Sequence, residues 1–277
     1  MTQTVLTTQG FHETLTDFFY EFSACQNKLM QGDAYIETLQ NTIQRYQDFI
    51  MEDEHVALYE KWQNDYKDDA RIVVKALQKI TAMCVKYVEN DHALKLIRDD
   101  EQCNQDGSYL DNVASRIQEE FGMFDITDKD CVLSIGCGSY PMTLMQVFNE
   151  TGAKTIGLDI DAQSIDYARA VKMRCLPDAP MELSTEPVTE LASIKDVTHV
   201  VISSTVPVKY QILDDLYDVT NDDVVVAMRY GNGLKSLFNY PIQVVDPSKW
   251  HCVEILKQDD QIFDIALYHK NVAAKGS

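Results

Sequence analysis

Between Gln9 and Gly122 apolar residues recur at helical spacing, and the stretch holds no proline and only Gly10, Gly32 and Gly107 as interior glycines. Those residues punctuate helices, so their scarcity predicts a helical domain over 1–122. The clearest period runs from Ala70 to Ile97, where Val73, Ala76, Leu77, Ile80, Cys84, Tyr87 and Val88 share one face at i, i+3 and i+4 intervals. That stripe reads as core. A polar loop around Asp106-Gly107 separates it from a further helical pattern, Tyr109 to Phe121.

From Asp130 the pattern changes to short β-branched runs alternating with helical segments, as in a parallel sheet with crossover helices. Strands are expected at Cys131–Ile135, Lys154–Leu158, Met181–Leu183, His199–Ile202 and Val224–Met228. Two more runs, Trp250–Leu256 and Gln261–Tyr268, are joined by the polar turn Lys257-Gln258-Asp259-Asp260. A turn that short forces an antiparallel pair, because parallel strands need a crossover of about a dozen residues. The expected fold class is α/β: an N-terminal helical bundle, then a Rossmann-like domain over 123–277 ending in an antiparallel hairpin, the layout of S-adenosylmethionine (AdoMet)-dependent transferases.

Composition narrows the setting. A chain of 277 residues, 45% hydrophobic, can bury a substantial core. It opens on no basic-then-apolar leader and holds no run approaching the ~20 apolar residues of a membrane span, so a cytoplasmic, non-membrane protein is expected. With 24 Lys+Arg against 44 Asp+Glu the formal charge is −20, which disfavours nucleic acid and points to small or cationic partners. The seven cysteines show no Cys-x-x-Cys, and the six histidines are scattered. Reduced thiols and no bound metal are the expectation.

The candidate site begins where the first strand runs into Gly136-Cys137-Gly138-Ser139-Tyr140-Pro141, with a helix following. Two glycines allow a tight turn and close approach to a ligand, and Pro141 suits the first turn of a helix, where its missing N–H has no partner to lose. Asp159 ends the second strand, where an acid can accept both hydroxyls of a ribose. Asp161 is the alternative ligand, or else the cap of the helix that follows; Asp159 is favoured. Ser203-Ser204-Thr205, at the carboxyl end of the fourth strand, either hold cofactor polar groups or shape the turn before Pro207. Arg229 either clamps a substrate carboxylate or makes a structural ion pair. Tyr140 either lines the pocket or packs against the helical domain.

The run Val132–Thr143, with its Gly-x-Gly-x-x-Pro-Met-Thr loop, resembles the nicotianamine synthase family. So does Val226-Ala227-Met228-Arg229-Tyr230-Gly231-Asn232-Gly233 leading to Phe238-Asn239-Tyr240-Pro241. The similarity extends to Ile80–Lys86, Ser203–Pro207 and Ile262–Tyr268, and is strongest to the bacterial histidine 2-aminobutanoyltransferases of staphylopine-type metallophore synthesis. The resemblance implies transfer of the aminobutanoate arm of AdoMet, a co-substrate, to the amine of histidine, with D-histidine favoured. Methylthioadenosine would be released and an opine-type dehydrogenase would act next; a homodimer is also implied. It assigns the catalytic glutamate to Glu89 and the catalytic tyrosine to Tyr109, and implies a cofactor site of Gly136, Cys137, Gly138, Tyr140, Pro141, Asp159, Ile160, Ser203, Ser204 and Thr205. Substrate contacts fall on Arg229 and Tyr240.

Helical geometry alone argues against Glu89: at ~100° per residue it lies roughly 160° from the apolar stripe, where a solvated glutamate belongs. Only something covering that face would turn it into an active-site wall. A methyltransferase sharing the same cofactor pocket is the competing reading, and a binding protein without catalysis is a third.

Overall fold

A computed structural model describes residues 6–32, 35–98 and 117–271. The chain packs into two compact units, one formed by Met1–Val88 with Gly231–Pro241, the other by Glu89–Tyr230 with Ile242–Ser277. This division differs from one at Gly122 in two ways. It falls inside a long helix, whose last turns pack with the sheet's unit, and a segment following the fifth strand belongs with the helices.

The helical unit comprises α1 (Thr8–Met30), α2 (Ile36–Met51), α3 (Val56–Tyr66) and the first part of α4 (Asp68–Ile97). Thr7 caps α1 by accepting from the Gly10 N–H at 3.1 Å. Aromatic residues at helical spacing fill the interior: Phe11, Phe18 and Phe22 of α1 meet Tyr46 of α2 and Trp62 of α3. Along α4 the apolar stripe is buried at Leu77, Ile80, Cys84 and Val88. The Gly231–Pro241 segment, with a 3-10 turn at Gly233–Leu237, is moored to these helices by sealed hydrogen bonds. Tyr46 Oη donates to the Leu237 carbonyl at 2.9 Å, Tyr59 Oη meets Ser236 Oγ at 2.7 Å, and Gln78 Nε2 donates to the carbonyls of Ser236 and Asn239 at 2.8 and 3.0 Å.

The second unit holds a seven-stranded sheet: β1 (Cys131–Ile135), β2 (Lys154–Leu158), β3 (Met181–Ser184), β4 (His199–Ile202), β5 (Val225–Tyr230), β6 (Trp250–Leu256) and β7 (Asp264–Lys270). The order is β3-β2-β1-β4-β5-β7-β6, with β1 to β5 parallel and β7 antiparallel to both neighbours. The short helix α5 (Ile117–Glu120) precedes β1, while α6 (Met142–Thr151), α7 (Ala162–Cys175) and α8 (Lys209–Val219) are connectors. Helices cover both faces, so the central strands are continuously buried. Leu133, Val200, Val226, Trp250 and Tyr268 form one core layer, and Leu144, Ile165, Ala168 and Leu183 the other.

Strand limits differ from expectation at β3, which continues to Ser184, and at both ends of β5 and β7. β5 continues to Tyr230, so Arg229 lies within the ladder, paired with Ile265. β7 starts at Asp264 because that side chain accepts from the Gln258 N–H at 3.1 Å and closes the turn. Cys175 is disulfide-bonded, which corrects the expectation of reduced thiols at that position. The predicted helix from Tyr109 lies largely outside the described residues. No helix among the described residues is long and apolar enough to cross a membrane.

Replacing Gln78 by Leu removes both donors to the Ser236 and Asn239 carbonyls. Chemical denaturation of Gln78→Leu is expected to show a loss of about 1–3 kcal/mol, the cost of burying carbonyls without their donor.

Candidate functional site

The strand order reverses between β1 and β4, and open α/β sheets bind ligands at such a point, beyond the carboxyl ends of the strands. The glycine loop leaves β1 there and Ser203–Thr205 leave β4. A cleft of about 520 Å³, part of it open to solvent, is lined by Glu89, Gly136, Cys137, Tyr140, Ser203 and Arg229 among others.

Backbone conformation explains the glycines. Gly136 and Gly138 have φ of +76° and +66°, the left-handed region that L side chains avoid. A Cβ on Gly136 would lie 2.8 Å from Val206 Cγ2 and 3.2 Å from Ser203 Cβ, so the two loops touch across the glycine. The Gly136 and Cys137 N–H groups donate to the Leu158 carbonyl at 2.8 and 3.2 Å. Pro141 precedes the first residue of α6, and its carbonyl accepts from the Met145 N–H.

Asp159 and Asp161 divide the acidic roles left open above. Asp161 caps α7, its Oδ2 accepting from the Ser164 N–H at 3.2 Å and hydroxyl at 2.7 Å. Asp159 faces the loop: Oδ2 accepts from the Gly138 N–H at 3.1 Å and Oδ1 from the Asp161 N–H at 3.0 Å. Ile160, between them, is 99% exposed.

Glu89 meets the same loop. Its carboxylate lies so close over Gly138 that any Cβ there would overlap Oε2. The Ser139 backbone N–H donates to it, and what exposure Glu89 keeps opens onto the cleft. Burial pushes the Glu89 carboxyl up to about 8, the charge of Asp159 adds to the rise, and the Ser139 bond opposes it. The glycine loop thus covers the helix face that periodicity assigns to solvent. One turn along α4, buried His92 meets the Tyr140 ring edge-on at 5.0 Å, so Tyr140 both lines the cleft and packs on a helix.

At the hydroxyl edge, Ser203 Oγ and Thr205 Oγ1 are 3.2 Å apart, and Ser204 is buried. Arg229 lines the cleft, with one edge of its guanidinium paired to buried Glu120: Nε to Oε2 at 2.9 Å and Nη2 to Oε1 at 2.5 Å. Nη2 also reaches Thr143 Oγ1 at 3.3 Å, and the guanidinium lies over the Phe263 ring. Tyr240 belongs to the helical unit and is half-buried. Tyr109 lies outside the described residues. Sequence reading missed Glu120, which looks like any acid of a short polar helix. It also missed fully buried Lys209, whose Nζ donates to the carbonyls of Ser204 and Arg229 at 2.8 and 2.7 Å.

A parallel sheet closed by an antiparallel hairpin, with a glycine loop facing an acid at the next strand's end, defines a Rossmann-like class of α/β fold. No family model matches the chain. It is 34% identical over 166 residues to the L-histidine 2-aminobutanoyltransferase of Pseudomonas aeruginosa strain UCBPP-PA14, covering 59% of this chain and 62% of that protein. To the protein of the same name from Yersinia pestis it is 28% identical over 145 residues, 51% of this chain and 53% of that one. The match therefore spans less than two thirds of the length of these curated relatives. In fold the chain is similar to MtNAS, a nicotianamine synthase, in complex with MTA and tNA: TM-score 0.75, 12% identity, 94% of this chain and 98% of that one. A variant of MtNAS in complex with S-adenosylmethionine gives a TM-score of 0.71 at 10% identity over 91% and 98% of the two chains. The chain is thus similar in sequence, over part of its length, to histidine 2-aminobutanoyltransferases, and in fold to a nicotianamine synthase.

The raised carboxyl has a consequence for stability. Between the unperturbed value of 4.5 and about 8, the folded chain holds a proton on Glu89 that the unfolded chain has released. Stability contributed at this position therefore falls as pH rises through that window. Glu89→Gln mimics the protonated form. Thermal melts should show the variant and the parent close together near pH 4 and the variant melting several degrees higher by pH 8.5; an unchanged gap would contradict the buried, raised carboxyl.

Proposed function

We propose that this chain transfers the aminobutanoate group of AdoMet to the amine of histidine, releasing methylthioadenosine. What carries the reading is the contact between Glu89 and the glycine loop, which puts a carboxyl of raised pKa on the wall of a nucleoside-type cleft. Similarity to the curated aminobutanoyltransferases supports this reaction over methyl transfer. Those relatives are named for L-histidine, so L-histidine replaces D-histidine as the favoured acceptor.

The residues present fit AdoMet. The left-handed turns at Gly136 and Gly138 let bare backbone pass against Ser203 and Glu89, so that main chain, not side chains, faces the cleft where β1 ends. Each Asp159 oxygen accepts one backbone N–H, leaving lone pairs for ribose hydroxyls. Exposed Ile160 offers an apolar surface to an adenine ring, and Ser203, Ser204 and Thr205 supply polar groups for the aminobutanoate end. When bound, AdoMet supplies a sulfonium-activated γ-carbon: the amine nitrogen bonds to that carbon as its bond to sulfur breaks, and neutral methylthioadenosine leaves with the electron pair.

An ammonium has no lone pair, so the attacking amine must lose a proton. Glu89 is the acceptor in this reading, and a base whose pKa lies near the working pH gives the best compromise of availability and strength. Carboxylate and amine then hold one proton between them, with the cleft orienting the amine. Tyr109 is the second group assigned to the amine, while Arg229 and Tyr240 contact the histidine. A homodimer and an opine-type dehydrogenase consuming the product complete the proposal.

Mass spectrometry of the protein incubated with AdoMet and, separately, L- and D-histidine should reveal methylthioadenosine and an adduct one aminobutanoate unit heavier than histidine. S-adenosylhomocysteine with a methylated acceptor would instead establish the methyltransferase. Because Glu89 titrates near 8, kcat/KM should rise about tenfold per pH unit below that value and level above it. Glu89→Gln should lose about 10²–10⁴-fold in kcat and abolish this limb.

A further inference from the structure

We propose that Lys209 is a positioning residue of the transferase site, fixing the spacing between the ends of β4 and β5 that AdoMet binding requires; this rests on the AdoMet reading above. Lys209 opens α8 and is 0% exposed. Lysine is almost never fully buried without a partner charge, yet no carboxylate pairs with it among the described residues. Its place in the first turn of a helix adds to the difficulty, because the dipole there disfavours a cation. Burial lowers its ammonium to about 7. Whether charged or neutral, the amine retains at least the two N–H donors that its two carbonyl partners need.

Both partners lie directly behind the cleft wall. The Ser204 carbonyl belongs to the turn whose neighbours Ser203 and Val206 press against Gly136. The Arg229 carbonyl belongs to the residue that lines the cleft and grips Glu120. One nitrogen therefore ties the hydroxyl edge to the strand carrying Arg229, just beyond Ile202 and Met228, where the β4–β5 pairing ends. Otherwise the two ends are held through their other neighbours, Ser203 by the Ile135 carbonyl of β1 and Arg229 by its pairing with Ile265 of β7, and Lys209 is the direct tie between them. The glycine loop, whose Gly136 rests against Ser203, takes one of its supports from this tie.

The test compares the parent protein with Lys209→Met, which keeps length but has no donor, and Lys209→Gln, which keeps a shorter, uncharged donor. AdoMet affinity is measured by titration calorimetry, and thermal melts report the folded fraction. Folded Lys209→Met should bind AdoMet about tenfold or more weakly, and Lys209→Gln about threefold more weakly. In turnover, KM for AdoMet should rise by similar factors while kcat at saturating substrates stays within about twofold of the parent, a split opposite to mere loss of folded protein, which lowers kcat and leaves KM unmoved. The proposal is overturned if folded Lys209→Met binds AdoMet like the parent, or if Lys209→Met fails to fold while Lys209→Gln binds like the parent. A parent protein that does not bind AdoMet at all defeats the underlying reading instead.

Discussion

The site depends on one close approach: the carboxylate of Glu89 resting on a backbone with no side chain at Gly138. Around it, constraints interlock. The left-handed turn at Gly138 presents the Ser139 N–H to Glu89 and lets the Gly138 N–H reach Asp159. Two carboxylates thus approach the same short peptide from different elements, and their mutual repulsion, added to burial, keeps one of them protonated near neutrality. Such a pair suits a cationic ligand, whose charge would favour ionisation of both.

Behind this front, the sheet supplies rigidity. Gly157, in the middle of β2, has room for no Cβ: Leu144, Leu183 and Cys137 Sγ would all lie within 3.0 Å of it. Cys137 can therefore tuck onto the sheet, fixing the loop from below while Ser203 and Val206 fix it from the side. Buried Arg229 and Glu120 join β5 to the element before β1, so the cleft wall is continuous from the fifth strand to the approach to the first.

Much of the fold was legible in the sequence because its signals are local. Strands buried on both faces read as unbroken β-branched runs, and the tight polar turn after Leu256 required the antiparallel pair. The glycine loop and Asp159 announced themselves by backbone need and spacing, and Asp161 sat where a cap belongs. The rest depended on tertiary placement. Periodicity put Glu89 on a solvent face, correctly for a lone helix, because it carries no information about a loop about 50 residues away in sequence. Lys209 follows Val206-Pro207-Val208 at a helix start, where a lysine ordinarily points to water. Arg229 presented two readings, and its pairing with Glu120 could not be read from two residues separated by 109 positions.

The membership of Gly231–Pro241 in the helical unit bears on how the chain is made. The four helices leave the ribosome before the sheet, but the residues that accept from Tyr46 and Gln78 lie 158 to 191 positions after those donors; at typical elongation rates that is a delay of roughly 8–40 seconds. During that interval the nascent bundle carries polar groups awaiting their partners, so the N-terminal unit reaches its final hydrogen bonding only after β1 to β5 have been synthesised. Translation order and folding order are therefore crossed in this chain: the part born first is completed late.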